Sequence, residues 1–413
     1  MMKFEFATAG KIIFGCGTLA QVAPVAAGFG RCALVVTGRN TERIAPLLDA
    51  LAAEGVDCET FSVSGEPTVE MARQASVLSA DMVIGFGGGS VIDLAKAAAA
   101  LMTNPGDPLD YLEVIGKGLP LKNRPAPCIA IPTTAGTGAE VTKNAVLFSP
   151  EHKVKVSMRH PLMIPDLAVV DPECMLSMPP AVTASTGLDA LTQLLEAFIT
   201  KKANPMTDGF CREGLPRIVR SLRRVFENGD NLAAREEMAL ASLFGGLALA
   251  NAGLGAVHGF AGPLGGMFNA PHGMVCAALL PHVMKANLNA VRQGCRSFQP
   301  LPHRNGASLP WVESPYSESV SPQATLSLRQ PCPAMIDRFE EFARLTGGKT
   351  AEDGLDWLAA LCRDLQVPPL AALGITEADF FEIVEKSKNA SSMKGNPVEL
   401  TDAQLMQILE MAL

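Results

Sequence analysis

Short apolar runs alternate with segments of helical period through the first 180 residues. Residues 32–37 (CALVVT), 57–63, 82–86 (MVIGF) and 128–131 (CIAI) are bounded by turn residues and read as strands. Between them, 41–53, 69–78 and 91–101 carry the 3.6-residue period of helices, the first with Thr41 as its N-cap. Strands separated by helices predict βαβ units and a parallel sheet covered on both faces. From about Val182 the strand signal fades. Residues 184–200, 206–224, 231–254 and 274–287 read as long Ala- and Leu-rich helices, followed by 335–346, 351–365, 377–388 and 401–413. The change falls at Pro179 and Pro180, which predicts an α/β domain over 1–180 and an all-α domain over 181–413. Ligand sites favour such interfaces, so the cleft between the two is the expected active site.

One segment fits neither pattern. Residues 295–333 hold seven prolines and seven serines with no period, as a surface insertion or a shifted reading frame in the source sequence would. A second stretch, Met238 to Met284, contains no Asp, Glu, Lys or Arg. Asn251, His258, Pro263, Gly265, Gly266, Asn269, Pro271 and His272 interrupt it, so it reads as buried core helices rather than a membrane span. The whole chain of 413 residues is 48% apolar and 18% charged, enough to bury a large core. Its net charge of −8 and lack of basic runs argue against a nucleic-acid surface. Ten cysteines without a C-x-x-C pair, and no signal-peptide pattern at the start, predict reduced thiols and a cytoplasmic protein.

Two loops have the chemistry of a nucleotide site. Gly87, Gly88, Gly89 and Ser90 join an apolar strand to a helix, where small residues and free N–H groups admit a phosphate. The G-x-G-x-x-G fingerprint is not met, because Ser90 stands at the third glycine. The loop 132–142 (PTTAGTGAEVT) adds the hydroxyls of Thr133, Thr134 and Thr137. In the helical half, Asp189 lies within the apolar TGLDALTQLLEAF and shares a helix face with Gln193. A buried carboxylate needs a partner. His258 (AVHGF) and His272 (APHGM) lie in the charge-free stretch, and the Pro and Gly residues between them predict a helix–loop–helix that folds them together. Two histidines and an aspartate are a ligand set for a divalent metal. His152, His160, His282 and His303 show no such clustering.

These segments, with AVHGFAGPLGGMFNAPHGMVCAALLPHVMKAN and SSMKGNP, resemble the iron-containing (group III) alcohol dehydrogenase family across nearly all of the chain except 295–333. The resemblance implies a Rossmann-like α/β domain followed by an all-α domain in the dehydroquinate synthase-like fold. It implies hydride transfer between NAD or NADP and a small alcohol or aldehyde in a homo-oligomer. Family cofactor contacts fall on Gly88, Gly89, Ser90, Thr133, Thr134, Thr137, Asn144 and Lys155. The Fe²⁺ or Zn²⁺ ligands fall on Asp189, Gln193, His258 and His272, with Asp189, His258 and His272 at the chemistry. Two positions depart from the pattern: Gln193 replaces a ligand histidine, as a weak fourth ligand or a partner of one, and Gly262 replaces a histidine associated with proton handling. A metal-independent maleylacetate reductase-like enzyme, a dehydroquinate synthase-like lyase and a non-catalytic relative are the alternatives. PTTAGTGAEVT and SSMKGNP speak against the lyase. Gly38 stands where an acid commonly reads the ribose 2′-hydroxyl, and Arg39 follows it, which predicts that NADPH is accepted at least as well as NADH.

Overall fold

The computed structural model describes residues 3–268, 270–297 and 332–413. Most of the irregular segment 295–333 therefore lies outside the described residues. The strands described are β1 Lys11–Phe14, β2 Cys32–Thr37, β3 Asp57–Ser62, β4 Met82–Gly87, β5 Cys128–Pro132, β6 Asn144–Ser149, β7 Val154–Arg159 and β8 Leu167–Val170. Six form one sheet, in the order β1-β8-β5-β4-β2-β3, and every pairing in it is parallel. β6 and β7 form a separate antiparallel hairpin. Helices α1 Val22–Ala26, α2 Ala45–Ala53, α3 Val69–Ser76, α4 Gly89–Thr103 and the single turn α5 Pro108–Tyr111 supply the connections. Period-two burial does the layering. Leu34 and Val36 of β2 pack with α3 and α4, while Ala33 and Val35 pack on the opposite face with α1 and α2.

The four strands expected from the apolar runs are present, with no end shifted by more than one residue. Thr41 is not the N-cap: it begins a 3₁₀ turn that precedes α2, and the Asn40 side chain accepts from Glu42 N at 3.1 Å. Four further strands were not expected. β1 and β8 have only four residues each, and the hairpin strands alternate buried and half-buried positions without a long apolar run.

From Pro180 onward the described chain is helical: α6 Pro180–Ile199, α7 Pro205–Glu227, α8 Leu232–Ala252, α9 Ala256–Phe268, α10 His272–Ser297, α11 Cys332–Leu345, α12 Ala351–Asp364, α13 Phe380–Asn389 and α14 Asp402–Ala412. Pro263, Gly265 and Gly266 do not end a helix. They lie inside α9, and the chain turns at Ala270–Pro271 instead. A proline inside a helix costs about 3 kcal/mol. Burying Phe260 and Leu264 completely returns roughly 1.5–3 kcal/mol each, so α9 continues. Two arginines tie these helices together. Arg235 is fully buried and donates to Gly229 O, Thr183 Oγ1 and Met178 O, tying α8 to the start of α6. Arg338 grips Asp208 in two bonds of 2.7 and 2.6 Å and lies 4.8 Å over the Phe198 ring, which seats α11 on α6 and α7.

His272–Gly294 is long and apolar enough to cross a membrane, yet 61% of its apolar window is buried inside the molecule, and α8 and α9 are bent by 98°. These are core helices, as the interruptions in the sequence implied.

Candidate metal centre and cofactor cleft

The strand order places a topological switch between β2 and β4: the chain steps outward from β2 to β3, then returns to the other side of β2. Ligands bind at such a crevice, outside the carboxyl ends of the strands. Gly38 leaves β2 there, and Gly88 leaves β4 as the extended N-cap of α4 with no side-chain cap, so the N–H groups of Gly89 and Ser90 are left for an anion, while Val91 N donates to Gly88 O at 3.0 Å. The loop after β5 closes over them. Thr133 N donates to Gly87 O at 2.9 Å. A Cβ on Gly88 would stand 3.3 Å from Thr134 Cγ2, and one on Gly89 only 2.7 Å from Thr137 Cγ2, so residue 89 must be glycine for the loops to touch. Gly88, Gly89, Ser90, Thr133, Thr134 and Thr137 thus converge. Asn144 and Lys155 arrive on the hairpin. The Asn144 carbonyl accepts from the buried Lys96, and Lys155 pairs with Glu66 at 2.8 Å while lying against Gly265 of α9. Gly38 is half-exposed at the β2 end of the crevice, and a Cβ there meets nothing within 4 Å. On the α2 side of the same strand ends, a groove of about 560 Å³ is lined by Arg43, Phe86, Asp171, Cys174 and Leu176; none of the metal-type residues lines it.

The helical side brings the other group together. Asp189 and Gln193 project from one face of the buried α6. His258 sits in the first turn of α9 and His272 opens α10, with ring centroids 5.4 Å apart. Asp189 Oδ1 lies 3.3 Å from His258 Nε2 and 3.8 Å from His272 Nε2. Cys276, one turn along α10, places Sγ 3.7 Å from His272 Nε2 and 3.9 Å from His258 Nε2. The donor atoms of Asp189, His258, His272 and Cys276 all fall within 4.8 Å of one another. The His272 side chain is 39% exposed and forms the open side; Asp189 is 4% exposed and His258 7%.

Glu196 decides the state of His258. Its Oε2 accepts a hydrogen bond from His258 Nδ1 at 2.7 Å, and its two oxygens accept the backbone N–H groups of Val257 (2.7 Å) and His258 (3.4 Å). Asn396, from the SSMKGNP loop, accepts from Ala256 N at 3.1 Å. Two remote side chains therefore cap α9 and hold it in place. With its proton on Nδ1, a neutral His258 presents a bare Nε2 lone pair to the carboxylate oxygen Asp189 Oδ1, which accepts no hydrogen bond. Two acceptors at 3.3 Å call for a cation between them. A proton or a divalent metal meets that demand, and this donor set fits the metal.

The perturbed acidities follow from the same crowding. Where a proton fills the gap, burial alone would raise Asp189, but the hydrogen bond that the protonated His258 then gives it and the charge of His272 hold it below the ordinary carboxylate range. Burial would lower His258, yet Cys276 and Asp189 lift it well above the usual imidazole value. Burial pushes the Cys276 thiol up, and His272 and His258 bring it below its ordinary value. Gln193 Nε2 donates to Asp189 Oδ2 at 3.2 Å and to the Thr137 carbonyl at 3.3 Å, joining the cofactor loop to the metal-type cluster.

A profile of the iron-containing alcohol dehydrogenases matches residues 9–172, and one of the Fe-containing alcohol dehydrogenase family, C-terminal, matches 183–413. The chain belongs to the iron-containing alcohol dehydrogenase family. It is 33% identical to the 1,3-propanediol dehydrogenase of Klebsiella pneumoniae, over 93% of this chain and 92% of that protein. It is 40% identical to long-chain-alcohol dehydrogenase 1 of Geobacillus thermodenitrificans, over 68% of this chain and 72% of the other. A crystal structure of a 1,3-propanediol oxidoreductase superposes with a TM-score of 0.84 at 30% identity, covering 100% of both chains. By that family the chain is an NAD(P)-dependent oxidoreductase with a divalent-metal type of site, in the expected fold of parallel α/β and all-helical halves.

Within this alcohol dehydrogenase, sequence reasoning passed over three residues. Glu196 lies in the quoted TGLDALTQLLEAF, seven positions after Asp189 and so on the same helix face. Cys276 lies four after His272, a spacing that places both on one face. Asn396 lies in SSMKGNP, whose contribution here is to anchor α9. At Gly262, one turn after His258, a Cβ would meet nothing within 4 Å.

Proposed function

We propose that this chain reduces small aldehydes and oxidises the corresponding primary alcohols with NADPH or NADH, assisted by a divalent metal held by Asp189, His258 and His272. The observation that carries the reading is the buried Asp189 Oδ1, without a hydrogen bond, facing Nε2 of His258 at 3.3 Å. When bound there, the metal supplies Lewis-acid polarisation of the substrate oxygen. The protein does the rest. The α4 N-terminus and the Thr134 and Thr137 loop receive the pyrophosphate and ribose, and Lys155 approaches from the hairpin. Glu196 keeps the His258 proton on Nδ1. Gln193 fixes Asp189 Oδ2 and ties it to the loop that carries Thr137, so cofactor and substrate are oriented by one connected unit. Packing of Gly136 on Thr186 and Gly138 on Gly246, where a Cβ would stand 2.5 and 2.3 Å away, brings the two halves close enough to limit water.

The test is a panel of aldehydes of graded chain length with NADH and NADPH, run on protein stripped with chelator and on protein reloaded with Fe²⁺ or Zn²⁺. Reductase activity that falls with metal content and returns on reloading supports the reading. Full rates at a small fraction of one metal per chain would move the chain to the metal-independent maleylacetate reductase branch. The division at Pro179–Pro180 and a homodimer complete the proposal. So does a cytoplasmic setting, which the eight free cysteines among the described residues support. Sedimentation of the purified chain tests the dimer.

A further inference from the structure

One buried donor in the cluster is left over by the ligand set just proposed. Cys276 leaves the same face of α10 as His272, and its Sγ points at both histidines, at 3.7 and 3.9 Å. A tetrahedral ion with nitrogen and oxygen at about 2.1 Å and sulfur at about 2.3 Å has edges of roughly 3.4 Å between N and O and 3.6 Å between N and S. Four of the six edges here are 3.3 and 3.8 Å for Asp189 to the two histidines and 3.7 and 3.9 Å for Cys276, close to those lengths, and all four donors lie within 4.8 Å of one another. The second observation is Asp189 Oδ1, buried and without a hydrogen bond, aimed into the same space.

At Gln193, the position of the family's usual ligand, the amide nitrogen and not the oxygen faces Asp189. Its Nε2 is given to Asp189 Oδ2 and to the Thr137 carbonyl, while Oε1, buried without a hydrogen bond, lies 3.0 Å from where a Cβ on Gly245 would stand.

We propose that Cys276 Sγ, rather than Gln193, is the fourth donor of the metal centre and that it makes the centre prefer zinc to iron. This rests on the metal-assisted reading above. On binding, the Cys276 S–H bond breaks, its proton leaves to solvent and a sulfur–metal bond forms, with no change of oxidation state. A soft thiolate in place of a nitrogen or amide donor strengthens the preference for Zn²⁺ over Fe²⁺. Gln193 is then a positioning residue for Asp189.

The experiment loads the full chain with Co²⁺ and with Zn²⁺. The cobalt protein is expected to hold one ion per chain and to show the near-ultraviolet charge-transfer band of a thiolate ligand. That band should persist in Gln193→Leu and vanish in Cys276→Ser, whose zinc affinity in chelator competition should drop at least the roughly 10–100-fold seen when a ligand's supporting residue is lost. A readout without any variant is X-ray absorption at the zinc edge of the wild type, where one sulfur scatterer is expected at about 2.3 Å. Stoichiometric metal with only nitrogen and oxygen scatterers and no thiolate band overturns the assignment of Cys276 and leaves metal-assisted hydride transfer standing. A chain that takes up no metal at all overturns both.

Discussion

Replacing Glu196 by glutamine exchanges one oxygen for an NH₂ group and leaves the volume of the site almost unchanged, yet it should disable the His258 ligand. Glu196 accepts from Val257 N at 2.7 Å on one oxygen and from His258 Nδ1 at 2.7 Å on the other. In Glu196→Gln the single side-chain carbonyl can satisfy only one of these. If the carbonyl turns to His258, the NH₂ meets the Val257 N–H, and two buried donors confront each other at about 1–3 kcal/mol. If the carbonyl stays with Val257, the NH₂ faces Nδ1, and the imidazole moves its proton to Nε2. The backbone N–H cannot move and the ring proton can, so the second arrangement wins. The new Nε2–H then points at Asp189 Oδ1 and satisfies that buried oxygen, so the metal-free protein loses little stability. The metal must displace that proton and do without a charge-assisted bond worth about 1.5–3 kcal/mol, so zinc affinity should fall roughly 10–100-fold. Chelator competition measures the affinity, and differential scanning calorimetry of the stripped protein should find a melting shift below about 2 °C. A stripped variant destabilised by several degrees, with zinc affinity within about threefold of wild type, would refute the tautomer argument.

Gly38→Asp fits without strain, because nothing lies within 4 Å of the added Cβ. A carboxylate near the 2′-phosphate at roughly 4–5 Å costs about 1–3 kcal/mol, so kcat/KM for NADPH should drop about tenfold or more while NADH is little affected. An unchanged ratio of the two would show that the 2′ position is read elsewhere. Gly262→His is also sterically open, and its effect on stability should stay within about 1 kcal/mol, because it replaces a helical glycine. It should add a new limb to the pH–rate profile, and an identical profile would rule out a proton-handling role for position 262. Glu140 is fully buried with Oε2 unpartnered, and burial raises its carboxyl to about 7. The folded value lies above the unfolded one, so the native state holds the extra proton between about pH 4.5 and 7, and stability from this group falls as pH rises through that window. Glu140→Gln should therefore stabilise the protein above pH 7 by an amount on the order of 3 kcal/mol and change little below pH 4.5. Urea midpoints at about pH 5 and pH 8 that shift equally would contradict this.

Much of the architecture is legible along the chain because period alone separates strand from helix. The runs 32–37, 82–86 and 128–131 and the helices after Pro180 declare themselves through their apolar spacing. Glycine-rich GGGS after an apolar strand points to an anion-binding helix start for a local reason, the free N–H groups of the first turn. Asp189 is conspicuous because a carboxylate on an apolar helix demands a partner. Strand order is not a local property. The switch between β2 and β4, which turns Gly38 and Gly88 into neighbours, exists only once the chain returns across β2. The same holds for the donors. Spacing places Cys276 on the face of His272, but only the packing of α10 against α6 and α9 brings its sulfur to Asp189 and His258. Glu196 stands in plain view within a helix motif, yet its meaning depends on α9 starting against its carboxylate. A sequence sets which groups share a face; which face meets which, and so where a proton or a metal must sit between two buried acceptors, is decided by long-range packing that no local pattern encodes.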